Sequence, residues 1–347
     1  KHIMFDGCTL GSLNMKDADS SSVRNCTIGG TQLRVAVQIT GGSNADADTL
    51  EGCTFTALDA SGSEPAIFMG YNAGGIGDAD TDSCRYFVQR FNVFNISQSG
   101  STSSTFVKHF ECPNFYSYGN RYVLTSTTTA AGDEGNYCVL FRDACYNGVM
   151  RRDTIYVNNE SSNQSHQGLM FASGMAGNDK SNHHFAVDSC YVRVFRGNAV
   201  YLQTMMPSLL MRYNVLRSRL GTALDVASGF NNTADDPRLH HNTLLGEQAV
   251  RHGDYANTGG GLFNNIFWGT SSSACAVGTA VSGSNNATNS NMSDSNFVYS
   301  TTGDSTRSFY YTSACQSPRT STWAGLSNDT HSYWGDPALT DTTWATL

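Results

Sequence analysis

Short apolar stretches alternate with turn residues along the whole chain, and the alternation repeats. Phe5-Asp6-Gly7-Cys8-Thr9-Leu10 returns as Val23-Arg24-Asn25-Cys26-Thr27-Ile28 and again as Leu50-Glu51-Gly52-Cys53-Thr54-Phe55. Looser copies centre on Cys84, Cys112, Cys145 and Cys190, after which asparagine takes the cysteine's place at Asn214, Asn242, Asn265 and Asn296. Most gaps run from 18 residues (Cys8 to Cys26) to 33 (Cys112 to Cys145), with a longer one of 45 from Cys145 to Cys190. Within each copy the apolar positions alternate with a period of two, and no segment sustains a helical period, which predicts short strands. A repeat of this length makes each copy one coil of a solenoid, able to bury its apolar side only by stacking on its neighbours. The prediction is an all-β chain: one parallel solenoid of about eleven rungs spanning residues 1–347.

Stacked coils repeat at the strand spacing of roughly 4.8 Å, so equivalent side chains form columns. The cysteines and asparagines are predicted to make one such column. Two places on, Leu10, Ile28, Phe55, Tyr86, Val192, Leu216, Leu244, Phe267 and Val298 are predicted to point inward. Buried thiols stack as small apolar groups, and the asparagines read as a hydrogen-bonded amide ladder. No C-x-x-C pair occurs, so no zinc site is predicted and no cysteine is assigned as a metal ligand. Cys275 and Cys315, both in Ser-Ala-Cys, leave a disulfide open.

Charge narrows the partners. Charged residues make up 14% of the chain, and its net charge is −8. A nucleic-acid partner needs a basic footprint and is not expected. No apolar run of about 18 residues exists, so membrane insertion is not expected either. No signal peptide is seen at Lys1, and Ile3-Met4-Phe5 already reads as a strand. The expectation is a piece of a longer chain, with irregular rungs over about 270–347 and a loop insertion over about 158–184.

The repeats resemble the right-handed parallel β-helix of pectate lyases, related polysaccharide-active enzymes and phage tailspikes. The last third carries the likeness furthest: His241-Asn242-Thr243-Leu244, Asn264-Asn265-Ile266-Phe267, Ser293-Asp294-Ser295-Asn296, then Trp323-Ala324-Gly325-Leu326, Asp329-Thr330-His331-Ser332 and Gly335-Asp336-Pro337-Ala338-Leu339. The resemblance implies a right-handed coil, a place outside the cell or on a virion surface, a polysaccharide or cell-surface glycan as partner, and a homotrimer. A fold of this kind also hosts inert stalks and adhesins. The paired-aspartate pattern of the related hydrolases and the Lys-plus-Arg pattern of the related lyases are absent.

Two outward columns follow from the register of the repeats. In the first, Ile155-Tyr156-Val157, Val200-Tyr201-Leu202, Leu224-Asp225-Val226 and Val250-Arg251-His252 align, which predicts Tyr156, Tyr201, Asp225 and Arg251 side by side, with Asn158 and Gln203 two places on. Aromatic faces beside a carboxylate, a guanidinium and amides suit a sugar chain. A solvated surface with an ion pair worth under about 1 kcal/mol is the plainer reading. The second column, two places before the ladder, is Asp143, Asp188, Arg212 and His240. Asp143 and Asp188 one rung apart would share a proton or hold a cation such as calcium. For cleavage by lysis or hydrolysis, Asp225 or Asp188 would be acid or base, and Arg251 or Arg212 would neutralise a uronate. Tyr156, Asn158, Tyr201, Gln203 and His240 would bind the chain. The insertion over 158–184, with His166, Asp179, Lys180, His183 and His184, would wall the site.

Overall fold

Each copy of the repeat folds as three short strands separated by corners, as in Ser22–Arg24, Thr27–Gly30 and Val37–Thr40. A computed structural model describes residues 2–16, 20–30, 37–40, 47–58, 67–70, 85–98, 105–110, 112–127, 136–142, 145–162, 164–172, 184–203, 208–226, 238–252, 261–270, 277–279, 293–300, 309–311, 314–316 and 331–334. Strands of equivalent place pair in parallel from coil to coil. They build a first sheet of 11 strands, and second and third sheets of 12 each. Among the described residues the single antiparallel pairing is Phe309–Tyr311 with Ala314–Gln316, within the stretch expected to be irregular. No described helix is long and apolar enough to cross a membrane.

The corner between the first and second sheets is two residues long. Its first residue takes the left-handed backbone region, with φ of 64° at Gly7, 52° at Asn25 and 63° at Gly52. Its second residue is the ladder residue. The column runs Cys8, Cys26, Cys53, Asn92, Asn120, Asp153, Cys190, Asn214, Asn242, Asn265 and Asn296, each immediately before a second-sheet strand. Three expected members therefore change. Cys84 lies outside the described residues. Cys112 and Cys145 belong to the other corner, before the first sheet, where the Cys112 amide donates to Cys145 Sγ at 3.4 Å. The two corners look alike in sequence because Asn114 and Asn147, two residues after those cysteines, also take left-handed φ, at 57° and 52°.

The ladder satisfies backbone groups that the corner leaves unpaired. Asn214 Nδ2 donates to Asn242 Oδ1 at 2.9 Å, and Asn242 Nδ2 to Asn265 Oδ1 at 3.0 Å. Each side-chain oxygen also accepts the preceding ladder amide, as Asn242 Oδ1 does from Asn214 N at 3.0 Å. Each Nδ2 also reaches a first-sheet carbonyl, as Asn242 Nδ2 does with Met211 O at 2.9 Å.

Inside the coil the columns are apolar. Leu10, Ile28, Phe55, Phe94, Tyr122, Ile155, Val192, Leu216, Leu244, Phe267 and Val298 are in register on the second sheet. Phe55, Phe94 and Tyr122 stack face to face at 4.8 and 4.7 Å. Tyr86, expected in this column, is instead an exposed corner residue with φ 55°.

Two groups break the apolar pattern. Asp153 ends one amide run, accepting Asn120 N at 2.6 Å and the Ser117 hydroxyl. Gln89 reaches Ser117 Oγ at 3.1 Å and also donates to the Tyr122 hydroxyl. Burial raises the Asp153 pKa to about 7, against the pull of its donors. His109 occupies the register place of Phe141 and Phe171, its ring 4.6 Å from Phe141 and 4.4 Å from Phe115. Neither of its ring nitrogens has a hydrogen-bond partner, and burial lowers its pKa to about 3. His109→Phe is expected to raise stability by about 1–2 kcal/mol by removing buried polar atoms without partners. A lower unfolding midpoint would refute this.

The stretch 158–184 is not all loop. It holds the third-sheet strand His166–Ala172, whose His166 is buried against Asn159 at the coil's corner. Lys180, Asp179 and His183 lie outside the described residues, and His184 is a left-handed corner residue.

Candidate functional site

The first expected column divides between two sheets. Tyr201, Asp225 and Arg251 are register neighbours on the third sheet. Flanking residues Val200, Leu202, Leu224 and Val226 pack in the core, which turns the three outward. Tyr156 is on the second sheet, in register with Val123 and Arg193, so it does not join them. Its ring lies 5.7 Å from that of Tyr191, with the Arg121 guanidinium 5.4 Å from its centre. The apolar-x-apolar triplet is the same on every sheet, which is why the sequence pattern merged them. The true neighbour of Tyr201 in the preceding coil is Met170. Asn158 is exposed at the end of the Tyr156 strand, beside Thr125. Gln203 follows the Tyr201 strand, is exposed, and its backbone amide donates to Phe171 O at 2.9 Å.

Asp225 is only 2% exposed although it stands on the outer face of its sheet. Arg251 grips it with two nitrogens: Nε donates to Oδ1 at 2.8 Å and Nη2 to Oδ2. Asn198 Nδ2 donates to Oδ2 at 2.9 Å, and Asn198 is itself held by Gln167 Oε1 at 3.1 Å. The hydrogen bond to Asp225 raises the Arg251 pKa further above its ordinary value, so the guanidinium stays charged. Tyr201 is half-buried against Tyr137, Leu140, Met170 and Ala172. Burial, then the Asp225 charge, raise its hydroxyl pKa against the opposing pull of Arg251. An apolar floor, one aromatic ring and a clamped Asp–Arg pair thus lie along five consecutive strands of the third sheet.

The second column is on the first sheet, where Arg151, Asp188, Arg212 and His240 are in register. Asp143 lies outside the described residues, and Asp188 stands between two guanidinium groups where a second carboxylate was expected. Arg212 Nη2 is 3.0 Å away and Arg151 Nε 3.8 Å. Burial pushes the Asp188 pKa up, but the Ser189 hydroxyl and the two arginines outweigh it and hold the carboxyl below the ordinary range. A calcium ion there would meet two positive charges, and the described residues contain no group of three His, Cys, Asp or Glu able to hold a metal.

Residues missed in the sequence surround this column. The corner place before the ladder is Gly or Asn at 7, 25, 52, 119 and 264 and Ser at 189 and 295, but Phe91, Arg152, Tyr213 and His241 in the other four coils. Phe91, Tyr213 and His241 all have φ of 57°, and Arg152 has 54°. A bulky residue there costs on the order of 1–3 kcal/mol. The signal was available: aligning the copies shows large side chains where small ones are conformationally cheaper.

No protein-family model matches the chain, and neither the curated proteins nor the solved structures give a match.

Proposed function

We propose that the chain is a right-handed parallel β-helix of about eleven coils, working outside the cell or on a virion surface, that binds a polysaccharide or cell-surface glycan along the outer face of its third sheet. The observation that carries this reading is the Asp225–Arg251 clamp beside Tyr201. A surface ion pair that only decorates a stalk would leave both partners solvated, whereas Asp225 is buried on the outside and held by a layered set of amides. Such an arrangement orients a guanidinium for hydroxyls or a carboxylate, next to a ring face for stacking.

Binding without cleavage is favoured over hydrolysis. Inverting and retaining glycosidases need one carboxyl able to give up a proton in the reaction. Asp225 spends both oxygens on Arg251 and Asn198, and Asp188 is held ionised between two arginines.

A panel of acidic and neutral polysaccharides tests both halves of the reading. Tyr201→Ala is expected to weaken glycan binding by about 1–3 kcal/mol, as loss of a stacking platform does elsewhere, and Tyr201→Phe is expected to retain it. Unchanged affinity in Tyr201→Ala would remove the site. Release of reducing ends or of unsaturated products would make the chain an enzyme. No binding across the panel would leave the stalk as the better account.

A further inference from the structure

We propose that the outer face of the first sheet, with the corner that follows it, binds an acidic polysaccharide strand at a surface separate from the third-sheet site. It shares with the preceding reading only the premise that the ligand is a glycan.

Two aromatic platforms sit on this surface. At one, Phe91 meets the Tyr118 ring edge-on at 5.3 Å, Tyr116 lies parallel to Tyr118 at 6.3 Å, and Arg152 covers Tyr118 at 5.7 Å while donating to its hydroxyl at 2.8 Å. At the other, the Tyr213 ring stands 5.2 Å from His241, and His240 and His241 bring their Nδ1 atoms within 3.1 Å. Phe91 and Tyr213 are each 54% exposed. Four strand steps separate them along the first sheet, or roughly 19 Å at the usual strand spacing. Both occupy left-handed backbone at a place where seven other coils use glycine, asparagine or serine, so local folding does not account for side chains of this size.

Charge selects the ligand. From Val88–Arg90 to Arg238–His240, the first-sheet strands and the corner residue after each carry Arg90, Arg151, Arg152, Arg212 and Arg238 against Asp188, and Arg90 is paired with Glu51 of the preceding strand at 3.0 Å, so four arginines face one carboxylate. Asp188 is shared by Arg151 and Arg212, which leaves their pairing with a net positive charge. This strip is positive on a chain of net charge −8. A local field opposed to the overall charge guides an anionic group to that place. The side chains recur once per rung, at about 4.8 Å. A linear chain of pyranose rings has a comparable repeat, whereas the longer repeat of a nucleotide strand falls out of step. The rings supply stacking and the guanidinium groups pair with carboxylates or sulfates. Like charge along the strip also opposes its packing on the same strip of a second copy.

The test uses the whole chain and two substitutions that relieve the backbone, Phe91→Gly and Tyr213→Gly. Polygalacturonate, a sulfated polysaccharide, dextran and single-stranded poly(U) serve as probes. The expected result is binding to the acidic polysaccharides alone, weakened about tenfold or more by each substitution and by raising salt, with unfolding midpoints equal to or above that of the parent. A residue with only a structural role would lower the midpoint and leave binding intact. Tyr201→Ala serves as the control: it reports on the third-sheet site, so loss of binding in that variant alone moves the ligand there and overturns the present proposal. Retained affinity in both glycine variants overturns it. So does failure to bind any acidic polysaccharide, preference for poly(U), or a parent oligomer that the glycine variants convert to monomers in light scattering.

Discussion

Asn242→Leu is expected to lower the stability of the fold by about 3–5 kcal/mol, one of the largest single-site effects in the chain. The side chain is 1% exposed. It accepts from Asn214 N and Asn214 Nδ2 and donates to Asn265 Oδ1 and Met211 O, all between 2.9 and 3.0 Å. Leucine fills a similar volume but removes all four bonds in a place water does not reach, although Asn214 Nδ2 keeps Val187 O and Asn265 Oδ1 keeps the backbone amide of residue 242, each at 2.9 Å. Each such loss costs about 1–3 kcal/mol, and relaxation recovers part of the sum. Denaturant unfolding reads the change directly. Asn242→Asp, which keeps the acceptor and loses the donor, should fall between the two. A midpoint shift under about 0.5 kcal/mol in the leucine variant would mean that the ladder is not a buried network.

The second large effect is on pH. Asp153 has a folded pKa raised to about 7, so its contribution to stability is complete at low pH and is lost as pH rises through that value. His109 and His166 are lowered to about 3 and about 4, both first by burial. Their unfolded forms take up protons below about 6.5, so stability is lost as pH falls from there. Between pH 4 and 6.5 two histidines oppose one aspartate, and stability should rise with pH. Above 6.5 only the aspartate term remains, and stability should fall until Asp153 is fully ionised. The unfolding free energy is therefore expected to peak between about pH 6 and 7. Asp153→Asn should flatten the alkaline side and stabilise the chain at pH 8 by on the order of 3–4 kcal/mol. An amide at 153 would continue the run from Asn92 and Asn120 in kind. A variant with the same alkaline decline as the parent would assign that decline to another group.

The repeat made the architecture readable before any coordinates, because a solenoid writes the same constraint many times. The coils around Cys8, Cys26 and Cys53, and around Asn214 to Asn296, were placed in the correct register by a ladder residue that follows a turn residue and precedes an alternating strand. The middle coils were not, for a physical reason. There the ladder residues are Asn92, Asn120 and Asp153, while Cys112 and Cys145 stand at the opposite corner with the same downstream left-handed asparagine. Two corners of similar geometry select similar residues, and eight positions separate Cys112 from Asn120. The same degeneracy moved Tyr156 onto the wrong sheet and hid the strand His166–Ala172 inside an expected loop. For the site, the neighbours Tyr201, Asp225 and Arg251 were legible, since an apolar-x-apolar triplet fixes which side faces out. The burial of Asp225 was not, because Asn198 and Gln167 come from the two preceding coils and no local pattern links them.

Polar cross-links along the ladder do not run unbroken. One amide run, from Asn92 through Asn120, stops at the Asp153 carboxylate. Another begins where Cys190 N donates to Asn214 Oδ1 and continues to Asn296, whose amide reaches Ser332 Oγ. Between the two runs stand the Asp153 carboxyl and the Cys190 thiol, a weak hydrogen-bonding group like the thiols of Cys8, Cys26 and Cys53 at the start of the column. The side-chain amide chain is thus interrupted at that step, where strand pairing, side-chain packing and a backbone hydrogen bond between Asp153 and the Cys190 thiol join the coils. In a linear array each unit is held by its nearest neighbours alone, so a chain pulled from its ends should part first at the steps without an amide cross-link, here and among Cys8, Cys26 and Cys53, before the Asn214–Asn296 run.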